Sequence, residues 1–213
     1  MLGMLDLDAV TRFFNAVLSI FAIVNPIGSL PIFVSLTEDA SVQERRRVFR
    51  LAGIIAFVII CVMAAGGNYL LNNVFGIGFE EFRFGGGLLL IVVGVQGILE
   101  KPVKHALTAV DPASRQSEQI RLAVSPIASP LLTGPGAIVT VMLIANREGV
   151  GYALAACLVC FAFVILILNY AHLVFKLLGK IGTLAIGRVM DIFIVAIGVN
   201  FIFGAVQKTF IHP

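Results

Sequence analysis

The chain has 213 residues, 59% hydrophobic and 13% charged, where soluble domains run at about a quarter charged, and its mean hydropathy is +1.03. One globular core cannot hide that much apolar surface, so the composition excludes a soluble domain and implies a polytopic all-α membrane protein. The formal net charge of +3 is then a topology signal rather than the mark of an anionic partner, and nucleic acid is not an expected ligand.

A membrane span needs roughly 20 apolar residues. Six stretches qualify, at about 9–36, 49–71, 82–99, 121–146, 151–178 and 186–207, and together they make one transmembrane domain over 1–213. The first is expected to stay in the chain, because Asp6 and Asp8 stand where a signal peptide carries basic residues. It contains Val24-Asn25-Pro26-Ile27-Gly28-Ser29-Leu30-Pro31. Pro26 cannot donate to the carbonyl of Ala22, nor Pro31 to that of Ile27, so the helix should break here and expose carbonyls. A new half-helix capped by Ser29 should follow, its positive end suited to an anionic group.

The second span carries Cys61 and, near its outer end, Gly66-Gly67; the third opens on Gly85-Gly86-Gly87 and carries Gln96. Both glycine runs predict close helix packing. Residues 101–119 form the one long polar segment and read as a linker between halves. The fourth span begins with Val124-Ser125-Pro126-Ile127-Ala128-Ser129, which repeats Val24–Ser29 at an offset of 100 residues. After the insertion Pro130–Thr133 the offset becomes 104, pairing Pro31 with Pro135, Phe57 with Phe161, and Gly94-Val95-Gln96 with Gly198-Val199-Asn200. The fifth span holds Cys157 and Cys160, whose CxxC spacing reads as two small buried side chains, since nothing nearby would stabilise a thiolate. His172 lies toward its end, and Asp191 one turn into the sixth span, three residues after Arg188.

Two repeats result, about 9–100 and 120–208. Each has an odd number of spans, so the second must cross the bilayer in the opposite sense, as inverted repeats of secondary transporters do. Of the 15 basic residues, 11 fall on the side of the 1–2, 3–4 and 5–6 connections, which the positive-inside rule makes cytoplasmic, with both termini outside. Arg12, Arg83, Arg147 and Lys208 fall on the other side.

Two breaks meeting at the midplane would offer donor ends, acceptor ends and the small residues Gly28 and Ala128. A zwitterion suits that surface. The expected binding residues are Asn25, Pro26, Ile27, Gly28, Ser29, Ser125, Pro126, Ile127, Ala128 and Ser129, with Gln96 and Asn200 as polar neighbours. Asp191 and His172 are the candidates for a gate or coupling role, Asp191 having the competing reading of a surface pair with Arg188. The sequence has no phosphate-loop lysine, no His/Cys metal constellation and no Ser/His/Asp set, so no catalysis, cofactor or metal is expected.

On these residues the chain resembles the MarC (UPF0056-like) family of six-span bacterial and archaeal inner-membrane proteins. The most specific marks are Asn25-Pro26-Ile27-Gly28-Ser29-Leu30-Pro31, Ser125-Pro126-Ile127-Ala128 and Gly134-Pro135-Gly136-Ala137. The resemblance implies a neutral amino acid transporter, for glycine and alanine among others, with discontinuous first and fourth helices carrying the site at Pro26-Ile27-Gly28 and Pro126-Ile127-Ala128. Two rivals remain: an exporter of another small solute or drug, and a non-transporting membrane scaffold. The sequence leaves open the direction of transport, the coupling ion (H+ or Na+) and whether the protein is a homo-oligomer.

Overall fold

The computed structural model describes residues 2–37, 40–99 and 132–210, and among these every regular element is helical. In chain order they are α1 (Leu2–Val24), α2 (Leu30–Leu36), α3 (Val42–Tyr69), α4 (Phe79–Leu99), α5 (Pro135–Glu148), α6 (Val150–Asn169) and α7 (Ala171–Phe210). Four stretches are long and apolar enough to cross a bilayer: Val42–Phe75, Phe79–Leu99, Val150–Asn169 and Ile181–Phe210.

Local chemistry sets the boundaries. α3 starts on a capping box, in which Ser41 Oγ accepts from the Glu44 N–H at 3.3 Å and the Glu44 carboxylate accepts from the Ser41 N–H at 2.9 Å. It widens into a π turn over Leu70–Phe75 and stops at Gly76, whose φ of 63° suits glycine. Gly149, at φ 96°, is the whole link between α5 and α6.

The fifth and sixth spans differ from expectation. α6 ends at Asn169, and the next helix begins at Ala171 and is interrupted at Gly179 (φ 66°, ψ 179°). His172 therefore lies on a short helix after Val150–Asn169, and the last stretch long and apolar enough to cross starts at Ile181. Its Lys180 and flanking glycines read as a loop in sequence, yet only one residue breaks the backbone.

α1, α2, α3, α5 and α6 enclose the main core, around Ile20, Leu30, Phe33, Phe49, Ile60, Met142 and Phe161. α4 and α7 form a tight antiparallel pair that joins it through Leu90, Val139, Ile194 and Phe201. The pair is close because glycines on its contact face let backbone approach backbone: a Cβ on Gly87 would lie 2.7 Å from the Gly198 carbonyl oxygen, and one on Gly94 would lie 2.8 Å from that of Asp191. Gly86 and Gly67 likewise sit against Val139 and Met142. Outward-facing Val58, Val62, Leu158, Phe163, Ile192 and Phe203 are exposed, as lipid-facing side chains are.

The charges segregate to two ends. At one, Lys208 pairs with Glu80 at 3.4 Å beside Arg83, whose guanidinium lies 5.8 Å from the ring centre of Phe201; Phe201 also shares a cavity wall with Arg12 and Arg147. Asn68 and Asn146 exchange two amide hydrogen bonds of 2.7 and 3.0 Å there. At the other end Arg45 donates to the Thr37 carbonyl at 2.8 Å, Arg50 to Asn169 Oδ1 at 3.2 Å, and Arg46 lies over the Tyr170 ring. The four basic residues assigned to the minority side thus do gather at one end.

Candidate functional site

The helix interruption at the first motif is built by Asn25. Its φ of 44° makes it the one non-glycine residue with positive φ among those described, and its Oδ1 accepts from the Gly28 N–H at 3.0 Å. Asn25 is thus the cap and Pro26 the first residue of the new turn, where a missing N–H costs nothing. The expected cap, Ser29, has helical angles (φ −80°, ψ −12°) and no capping hydrogen bond. Asparagine takes the role because it tolerates the left-handed region and can reach a backbone N–H three residues on.

Gly28 does permit close approach, and what approaches is α7: a Cβ on Gly187 would lie 3.1 Å from the Gly28 Cα. A Cβ on Gly28 would instead strike the Asn25 amide at 2.6 Å. Pro26 is buried, and Asn25, Ile27 and Ser29 are half-buried. Replacing Asn25 with Ala removes a cap worth about 1 kcal/mol and strains a left-handed backbone by about 1 kcal/mol more. The apparent Tm of Asn25→Ala in detergent should therefore fall clearly below that of Asn25→Gly, which loses the same hydrogen bond without the strain; equal losses would show that the left-handed backbone costs nothing.

The second copy of the motif, Ser125, Pro126, Ile127, Ala128 and Ser129, lies outside the described residues. The helix after it, α5, has 14 residues, about 21 Å at 1.5 Å per residue, too short for a hydrocarbon layer of roughly 30 Å. Its Pro135 end lies at mid-depth, since Gly136 packs on Leu90 in the middle of α4 and on Ile23. Gln96 is exposed on α4, and His172 is exposed on its short helix. Asp191 is half-buried near the end of α4, where its carboxylate rests against Gly97; no ion pair joins it to Arg188.

Asn200 lies in a different place, a cavity of about 470 Å³ between α1, α5, the start of α6 and α7. Its charged members are Arg12, Arg147 and Glu148, its neutral polar ones Asn15, Ser19, Thr140, Tyr152 and Asn200, and aliphatic and Phe side chains complete the wall. The Thr140 hydroxyl and the Tyr152 hydroxyl are buried without a hydrogen-bond partner. Gly187 and Asn200 are 13 residues apart on α7, about 20 Å of helix, so the break and the cavity occupy different depths.

Residues 10–210 match the family described as MarC family integral membrane protein. The chain belongs to the MarC family. Among its MarC relatives, a "UPF0056 membrane protein" of Buchnera aphidicola subsp. Schizaphis graminum is 32% identical over 213 residues, covering 98% of this chain and 97% of that one. One from Archaeoglobus fulgidus is 32% identical over 201 residues, 92% of each chain. YvbG of Bacillus subtilis is 30% identical over 198 residues, 91% of this chain and 93% of that one. No solved structure is significantly similar. This MarC protein is therefore an integral membrane protein of a family found in bacteria and archaea.

Of the cavity, sequence reasoning reaches only Asn200. It misses Thr140 and Tyr152 on α5 and α6, and it reads Arg12 and Arg147 as topology signals only. One signal is available: Asn15 and Ser19, four apart in an otherwise apolar run, share a helix face. Among the described residues no group of His, Cys, Asp and Glu could hold a metal ion, and Cys61, Cys157 and Cys160 form no disulfide. The cavity can accept and donate hydrogen bonds and attract a charged group. It presents no nucleophile paired with a base.

Proposed function

We propose that this MarC protein is a secondary transporter of small neutral amino acids such as glycine and alanine, built as two inverted three-helix repeats that work by alternating access. The observation that carries the reading is a pattern of contacts related by the 104-residue offset. Phe57 and Phe161, such a pair, stack with ring centres 5.7 Å apart. The contact of Gly87 with Gly198, when each residue is exchanged for its partner, becomes that of Asp191 with Gly94, which is also made. A twofold axis in the membrane plane leaves that signature between antiparallel helices, and it is the geometry on which inverted repeats rock.

The break at Asn25–Ser29 and the short α5 are the matching interrupted elements of the first and fourth spans. On this reading substrate carboxylate and ammonium meet half-helix ends there, with Ser125–Ser129 completing the site, and Asp191 is the candidate coupling residue for H+ or Na+. The cytoplasm faces the Arg45–Arg50 end, in an inner membrane, with both termini outside. An exporter of another solute shares this geometry. A scaffold would not require it. In proteoliposomes loaded with unlabelled alanine, external labelled alanine or glycine should accumulate transiently by counterflow; a trace identical to that of empty liposomes would remove the amino acid reading.

A further inference from the structure

The cavity between α1, α5 and α7 carries chemistry that the break lacks. Its guanidinium groups, Arg12 and Arg147, outnumber its one carboxylate, Glu148. The ion pairs among the described residues are Arg83–Glu80 and Lys208–Glu80, so none of the three is neutralised by a neighbour. Side chains on a helix lean toward its N-terminus. For α5 that is the deep end, which favours Arg147 as the guanidinium facing Thr140 on the same helix; Arg12 and Arg147 are both exposed where they line the cavity. Seven residues deeper than Arg147, about 10 Å, Thr140 is 3% exposed and its hydroxyl has no partner. The Tyr152 hydroxyl is also unpartnered, its ring held edge-on against Phe13 at 5.5 Å. Buried polar groups are almost always paired. Both of these hydroxyls belong to residues that line the cavity, where a small side-chain rotation would offer them to a solute or a water. The volume of about 470 Å³ falls in the range of small-molecule sites and leaves room for solute and several waters.

We infer that this cavity is a binding site for a small solute bearing a carboxylate: Arg147 takes the carboxylate, and the hydroxyls of Thr140 and Tyr152 accept from the solute's N–H groups or from its bound water. The assignment draws on the transport reading only in the choice of alanine as one probe. Propionate, which has the carboxylate without the ammonium, is the other.

Equilibrium binding to the detergent-purified full chain tests it. Propionate should compete with labelled alanine. Arg147→Gln should weaken propionate binding, and the part of alanine binding that propionate displaces, at least tenfold; Thr140→Val should weaken that part several-fold, and Thr140→Ser should restore it, a recovery that misfolding would not give. Arg50→Gln, at the opposite end, should change nothing. Propionate bound in an Arg147-dependent way without alanine binding would support the site while removing the amino acid reading. Alanine bound with full affinity by both Arg147→Gln and Thr140→Val would overturn the site and leave transport standing. No binding of either probe to the wild-type chain would overturn it as well.

Discussion

Gly198→Leu should yield almost no monodisperse protein in detergent, while Gly85→Leu, one glycine run away, should behave like the parent chain. At Gly198 a Cβ would lie 2.7 Å from the carbonyl oxygen of Gly87, and the obstruction is backbone, which cannot rotate aside. At Gly85 nothing lies within 4 Å. Overpacking a core usually costs about 1–3 kcal/mol because side chains shift; here α4 and α7 must separate, so the loss should exceed that range. On the proposed inverted-repeat reading a symmetry requirement follows. Gly94, the residue paired with Gly198 at the 104 offset, has the Asp191 carbonyl oxygen against it much as Gly198 has that of Gly87, so Gly94→Leu should be as damaging. Fluorescence-detected size exclusion of the three variants beside the parent chain reads the result directly, and a stable Gly198→Leu would mean the two helices do not pack this way.

Glu80→Gln should destabilise the protein more than Arg83→Met, although Arg83 is the more buried of the two. The Arg83 side chain is 3% exposed and depends on Glu80, at 3.5 Å, for its counter-charge; Glu80 is 23% exposed and also holds Lys208. Arg83 Nε has no partner. Taking away the carboxylate strands a guanidinium inside the bundle beside Phe201, and breaking a buried pair from one side costs about 3–5 kcal/mol. The partial exposure of Glu80 puts this case below that, at about 2 kcal/mol. Arg83→Met removes the charge and puts an apolar side chain in the space that the guanidinium fills beside Gly204 and Phe201, so its cost should be near zero. Thermal unfolding of both variants at one detergent concentration gives the order, and a larger drop for Arg83→Met would show that the guanidinium is stabilised by contacts other than Glu80.

Much of this architecture can be read from residue order, for identifiable reasons. Proline at 26 lacks an N–H whatever surrounds it, so the interruption of the first span is legible. The cap is not, because a proline does not say whether Asn25 before it or Ser29 after it will take the role. Glycine runs at 66–67 and 85–87 announce close packing, but only Gly67, Gly86 and Gly87 use it; Gly66 and Gly85 face open space. The last apolar stretch starts at Ile181, five residues before the expected 186, because the backbone is interrupted only at Gly179. The cavity is the least legible feature. On helices that are apolar all round, hydropathy does not say which face meets a neighbour, so Thr140 and Tyr152 carry no mark until α5 and α6 are placed against α1 and α7.

Alternating access makes one demand that no static packing scheme shares. In proteoliposomes of a variant with its three native cysteines replaced by alanine, a single cysteine at Ala196 in the cavity and, separately, one at Ser29 in the break would be probed with a membrane-impermeant thiol reagent from each side. The account predicts labelling of Ala196→Cys from the Arg12–Arg147 face and of Ser29→Cys from the Arg45–Arg50 face, with alanine shifting the two rates in opposite directions. Labelling of both from one face, or rates that alanine leaves unchanged, would contradict it.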